Sequence, residues 1–147
     1  MENFSPVEIL IVEDNPDDAE LTINALKKNN LVNSLYVAED GEEALDFIFC
    51  RGKFDKKNFT KNLKVIFLDL KLPKINGLEV LKELKSNNAT KTLPVVVVSS
   101  SAEDPDIKAA YELGANSYVI KPVDFESFFK AMGNTGLYWL LVNESPR

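Results

Sequence analysis

The chain of 147 residues contains no histidine and sets 17 Lys+Arg against 23 Asp+Glu, a formal charge of -6. A Ser-His-Asp triad, a histidine-ligated zinc site and a phosphohistidine of its own are thereby excluded. The length predicts one domain with one core, and the negative balance, with no block of five or more consecutive basic residues, predicts neither nucleic-acid nor membrane binding. The lone Cys50 cannot close an intrachain disulfide, the first residues show no basic segment followed by a long apolar stretch, so secretion is not expected, and apolar runs such as Leu137 to Val142 are far short of the ~18 residues of a membrane span. A cytoplasmic location is expected.

In chain order, Ile9-Leu10-Ile11-Val12 is a short β-rich run, and Asn15-Pro16 then signals a helix whose apolar face is largely supplied by Ala19, Leu21, Ile23, Ala25 and Leu26. Leu35-Tyr36-Val37 predicts a second strand, Glu39-Asp40-Gly41 a turn, and Ala44, Leu45, Phe47, Ile48 and Phe49 the buried side of a second helix. Residues 51–64 hold five lysines and two phenylalanines without a period and predict an extended surface loop. Val65 to Leu68 predicts a third strand, followed by a helix through Leu78, Val80, Leu81 and Leu84. Val95 to Val98 predicts a fourth, followed by a helix that starts at Asp104-Pro105, runs through Ile107, Ala110, Tyr111 and Leu113, and is ended by Gly114. Tyr118-Val119-Ile120 is the fifth strand, and the last helix begins at Phe125.

Strict alternation of five strands and five helices predicts an α/β fold of three layers, a doubly wound parallel sheet with helices on both faces. In such sheets ligands bind outside the carboxyl ends of the strands. The residues that follow the strands are Glu13 and Asp14, Asp69, Ser99, and Lys121 with Pro122. Carboxylates gathered there raise one another's pKa unless a hard cation lies among them, and an oxygen-only donor set suits Mg2+. A cation beside a carboxylate, faced by an ammonium and a hydroxyl, is an arrangement for phosphoryl transfer. Asp69, alone at the end of a central strand, is the candidate nucleophile, and Glu13 with Asp14 the candidate metal pair.

These residues, the run Asp69-Leu70-Lys71-Leu72-Pro73-Lys74-Ile75-Asn76-Gly77, Ser99 after four valines, Gly114-Ala115 and Tyr118-Val119-Ile120-Lys121-Pro122 resemble the receiver domain of two-component response regulators. The resemblance covers 7–142, leaving short tails at 1–6 and 143–147 and implying no output domain. It implies a flavodoxin-like (βα)5 fold with strand order 2-1-3-4-5. It also implies that Asp69 accepts a phosphoryl group from a sensor histidine kinase, with Mg2+ held by Glu13, Asp14, Asp69 and the backbone carbonyl of Lys71. Lys121 and Ser99 then assist the transfer, Ser99 and Tyr118 form a switch pair, the Lys121-Pro122 bond is cis, and the phosphorylated form slowly dephosphorylates itself. Within the family, the long loop before the third strand, Asn76 and the ending Tyr138-Trp139-Leu140-Leu141-Val142 are most similar to stand-alone regulators that serve cyanobacterial-type phytochromes.

The last segment carries Phe125, Phe128, Phe129, Met132, Leu137, Tyr138, Trp139, Leu140 and Leu141, more apolar surface than one helix face hides. Phe125, Phe128 and Met132 are expected in the core, and Tyr138 and Trp139 in a homodimer patch. The expected output surface is the last two helices with the fifth strand. Gly133 and Gly136, each costing about 1 kcal/mol inside a helix, predict a bend or break there. The basic residues from Lys53 to Lys64 read as a solvated face, Cys50 as a small buried hydrophobe, and Lys71 and Ser101 occupy positions that in the family tune acyl-phosphate hydrolysis.

Three other readings are weaker. A haloacid-dehalogenase-type phosphatase needs a second acid where Lys71 stands, and a flavodoxin-type flavin module needs a hydroxyl-rich phosphate loop where Glu13-Asp14 stand. A receiver fold serving as a phosphorylation-independent scaffold would not need so complete an acid pocket.

Overall fold

The computed structural model describes residues 7–28, 34–54 and 63–135. Its elements are β1 (Ile9–Val12), α1 (Pro16–Lys28), β2 (Leu35–Ala38), α2 (Gly41–Ile48), β3 (Val65–Leu68), α3 (Gly77–Lys85), β4 (Val95–Ser99), α4 (Asp104–Glu112), β5 (Ser117–Ile120) and α5 (Phe125–Thr135). All four strand pairings are parallel, in the order β2-β1-β3-β4-β5, the expected doubly wound sheet.

Because successive strand residues point to opposite faces, each apolar run divides between two cores. Leu10, Val12, Ile66, Leu68, Val95 and Val97 face α2, α3 and α4. Ile9, Ile11, Val65, Phe67, Val96 and Val98 face the other layer, where Phe128 of α5 is fully buried with its ring 5.4 Å from that of Phe67. The central strands are therefore apolar without alternation, since neither face meets water.

Local chemistry sets the helix starts. The Asn15 side chain accepts from the backbone of Asp17 at 2.8 Å and Asp18 at 3.1 Å, Asp40 caps α2 by accepting from Glu43 at 2.7 Å, and Asn76 caps α3 by accepting from Glu79 at 3.0 Å. Gly114, at φ 108, closes α4 in a conformation that only glycine adopts without strain. The Lys121-Pro122 bond is cis.

The structure departs from the sequence reading in several places. Leu21 is 38 % exposed, and the buried face of α1 is Ala19, Thr22, Ala25 and Leu26. Two residues on from Ala19, a helical side chain points to the far side. In α4 only Ala110 is buried, while Tyr111 is 47 % exposed. Cys50 is half-buried at φ 55 rather than packed into a core.

The loop after α2 is not uniformly extended. A short 3-10 turn at Gly52–Phe54 buries Phe54 edge-on against Tyr36 and Phe47, at ring distances of 5.6 and 5.2 Å. Lys53 pairs with Glu43 at 3.5 Å and Lys64 with Glu8 at 3.7 Å. Helix α5 runs through Gly133 to Thr135 without a break, because one residue's propensity deficit is small against the packing of the helix. The rest of the basic loop, the Phe125 and Met132 side chains, and the segment from Gly136 onward with Tyr138 and Trp139 lie outside the described residues.

Candidate functional site

The parallel ladder determines which loop residues meet. Asp69 extends β3 by donating its N–H to the Val12 carbonyl at 3.0 Å, which sets it beside Glu13. Glu13 in turn donates its own N–H to the Ala38 carbonyl at 2.9 Å, and the Lys121 backbone N–H donates to the Ser99 carbonyl at 2.8 Å. Glu13, Asp69, Ser99 and Lys121 thus stand together at the carboxyl end of the sheet, with Asp14 exposed at the rim.

Lys121 lies at the centre. Its ammonium is 2.8 Å from a Glu13 oxygen, 3.0 Å from Asp18 and 3.2 Å from Asp69. Glu13 and Asp69 are buried, at 4 % and 5 % exposure, so neither carboxylate is relieved by bulk water. Asp69 also accepts, at a long 3.4 Å, from the backbone N–H of Lys71, whose side chain is exposed.

Charge balance explains the protonation of this group. Three carboxylates around one ammonium leave negative charge in excess. Burial raises Glu13 to about 7, the neighbouring Asp69 charge adding to the shift against the bond from Lys121. Burial alone would lower Lys121, but the bonds to Glu13 and Asp18 and the charges of Asp69 and Glu13 outweigh it and hold the ammonium above its ordinary range.

A second cation fits the same place. Carboxylate oxygens of Glu13, Asp14 and Asp69 lie within 4.8 Å of one another, and with neither histidine nor thiol among them the donor set suits a hard divalent ion.

Ser99 is fully buried, and its hydroxyl accepts from the Ser101 N–H at 3.1 Å. Ser101 passes the contact outward: its hydroxyl donates to Asp106 at 2.6 Å, and its carbonyl accepts from the Tyr118 hydroxyl at 3.0 Å. Ser99 and Tyr118 are therefore linked through one loop residue.

Sequence reasoning did not single out Asp18, Asp106 or Gly77. An acidic residue in a first helical turn is explained by the helix dipole, which hid the reach of Asp18 to Lys121. Asp106 was hidden in the same way. The glycine after Asn76 closes the run that begins at Asp69, but nothing in the sequence tells what it touches.

The response regulator receiver domain model matches residues 9–132. Response regulator Rcp1 of Synechocystis is 35 % identical over 139 residues, covering 95 % of this chain and 92 % of that protein. The structure of its Mn2+-bound form superposes with a TM-score of 0.76 at 34 % identity, covering 97 % of this chain and 100 % of that one. The bacteriophytochrome response regulator RtBRR gives a TM-score of 0.83 at 44 % identity, covering 97 % and 85 %. The phosphorylated cyanobacterial phytochrome response regulator RcpA gives 0.76 at 31 % identity, covering 97 % and 98 %. With the acid pocket, the strand order and the match over most of its length, the chain belongs to the response regulator receiver domain family.

Proposed function

We propose that the protein is a stand-alone response regulator of phytochrome-type signalling, in which Asp69 accepts a phosphoryl group from the phosphohistidine of a sensor histidine kinase. The observation that carries the reading is the meeting of Asp69 with Lys121 at 3.2 Å, beside Glu13, at the open end of the sheet. Relatives that resemble the chain over nearly their whole length include regulators named for phytochromes, one in phosphorylated form. This makes a phytochrome kinase the favoured partner and the cytoplasm the expected location.

In the proposed reaction a carboxylate oxygen of Asp69 attacks phosphorus in line, and the bond from phosphorus to the donor's imidazole nitrogen breaks as the imidazole leaves. Lys121, already facing that carboxylate, offsets charge on an equatorial oxygen, and the Ser99 hydroxyl donates to another. Mg2+, held by Glu13, Asp14, Asp69 and the Lys71 carbonyl, supplies the remaining charge neutralisation when bound. As the Ser99 hydroxyl turns to donate, the oxygen that accepts from Ser101 turns with it, which shifts the loop that Tyr118 holds and changes the surface of α4, β5 and α5.

The wild-type protein incubated with acetyl phosphate and Mg2+ is expected to gain one phosphoryl group per chain, labile to hydroxylamine as an acyl phosphate must be. No label, or a hydroxylamine-stable one, would refute the reading.

Cation affinity should depend on pH in a stated direction. With Glu13 raised to about 7, the free protein holds a proton there at lower pH that the cation must displace. Apparent Mg2+ affinity is expected to weaken about tenfold from pH 8 to pH 6 and to level off above pH 8. Titration calorimetry in buffers of different ionisation enthalpy would check the accompanying proton release; a flat profile would show that Glu13 carries no proton for the cation to displace between pH 6 and pH 8.

The reading includes a homodimer through the last helix and fifth strand. β5 is a sheet edge, and Ile120, Tyr111 and Phe129 around it are 42 %, 47 % and 47 % exposed, apolar surface of the kind that marks a partner site. Sedimentation at micromolar concentration with and without beryllofluoride decides it: a monomer under both conditions refutes the dimer.

A further inference from the structure

Lys121 has three acidic partners, and they differ in what the proposed chemistry asks of them. Asp69 becomes an acyl phosphate, so that its carboxylate charge moves outward onto phosphoryl oxygens. Glu13 is drawn to the cation. Asp18 does neither. Its oxygens are not in the three-carboxylate cluster that could hold a metal ion, and it sits in the first turn of α1, 3.0 Å from the ammonium, with its side chain 31 % exposed against 4 % for Glu13 and 6 % for Asp69, on the outer side of the group. Its own backbone N–H is fixed at 3.1 Å by the Asn15 side chain, so the carboxylate is presented from an anchored turn.

Geometry adds a second constraint. An ammonium has three hydrogens, and Lys121 already faces three carboxylates at 2.8, 3.0 and 3.2 Å. When a cation and a phosphoryl group arrive, two of those partners are reassigned. Without a third, fixed acceptor, the flexible four-carbon side chain would be free to follow Glu13 inward, away from the incoming phosphoryl oxygens.

We propose that Asp18 is a positioning residue that holds the Lys121 ammonium toward the mouth of the pocket, so that one of its hydrogens meets a phosphoryl oxygen on Asp69. Asp18 acts through Lys121 and touches neither phosphorus nor cation. The inference rests on the reading of Asp69 as phosphoacceptor, and it adds a carboxylate to the machinery outside the acid pair, the acceptor, the hydroxyl and the lysine.

The test is a double-mutant cycle on phosphorylation by acetyl phosphate with saturating Mg2+, using the full chain as wild type, Asp18→Asn, Lys121→Met and the double variant. Asp18→Asn is expected to slow labelling about three- to tenfold, in keeping with a charge-assisted contact that is partly open to water. In the Lys121→Met background the same change should have no effect. Equilibrium binding of beryllofluoride with Mg2+ is measured in parallel, because it requires no turnover and closes the cycle where labelling of Lys121→Met is too slow to follow. Mg2+ affinity without phosphodonor should be nearly the same in wild type and Asp18→Asn.

Equal losses in both backgrounds would overturn the proposal, since a role through Lys121 cannot survive its removal. A loss in Asp18→Asn matched by an equal loss of Mg2+ affinity would overturn it also, by making Asp18 part of the cation's surroundings. Thermal melting of each variant separates a general loss of structure from a positional one, and Asp18→Ser, which keeps a short acceptor at the helix start, is the second variant. Absence of label in wild type would instead strike the phosphoacceptor assignment.

Discussion

Replacement of Asp69 by Asn is expected to reduce labelling by acetyl phosphate or a phosphohistidine donor to background, with the fold intact. The amide has the shape of the carboxylate but no charge with which to attack phosphorus. Lys121 keeps Glu13 at 2.8 Å and Asp18 at 3.0 Å, so no ammonium is left buried and unpaired, and the stability change should stay within about 1 kcal/mol. The Asp69 charge is also one of the causes that raise Glu13, and the variant should therefore bring the Glu13 pKa down. Undiminished labelling of Asp69→Asn would refute the assignment; a label that moves to Ser99 would reveal itself by its stability to hydroxylamine.

The fold was legible because each strand is buried on both faces. A run such as Ile9 to Val12 or Val95 to Val98 is apolar without alternation only where helices cover both sides, and right-handed crossovers then leave few arrangements. The sheet order came from the resemblance rather than from the pattern, since periodicity cannot say which strands are neighbours. The site was legible through a rule of topology: Glu13, Asp69, Ser99 and Lys121 lie at the strand ends, and parallel pairing brings them to within two residues of one height. What escaped lies on helices and turns, where height and direction depend on packing. Asp18 reaches Lys121 across 103 positions of sequence, and Phe54 is buried by an aromatic pair that its polar neighbours conceal. Leu21 was misplaced for a related reason, because an apolar residue off the helical stripe looks the same in sequence as one on it.

Gly77→Ala is expected to destabilise the fold by about 3 kcal/mol and to slow phosphorylation by at least about tenfold. A Cβ built at Gly77 would lie 2.2 Å from the Asp69 carbonyl oxygen and 2.6 Å from the Leu70 Cα. Both are backbone atoms, which cannot swing aside as a long side chain can. The Gly77 N–H also donates to the Leu70 carbonyl at 2.8 Å, and Asn76 caps α3 immediately before it, so the start of the helix is tied to the segment it would have to leave. Relief must come from separating α3 from the strand end that carries Asp69, which moves the acceptor relative to Lys121 and Glu13. Gly114→Ala supplies the contrast. There the strain is a φ of 108 and the nearest atoms belong to the Lys85 side chain, before the amino end of β5 and so at the opposite end of that strand from Lys121, so stability should fall while labelling of the folded fraction stays at the wild-type rate. Chemical unfolding and phosphorylation kinetics on the same two variants check this. If Gly77→Ala lost stability but its folded fraction phosphorylated at the wild-type rate, the glycine would serve only to join helix to strand, and Asp69 would owe its position to the ladder contact with Val12 alone.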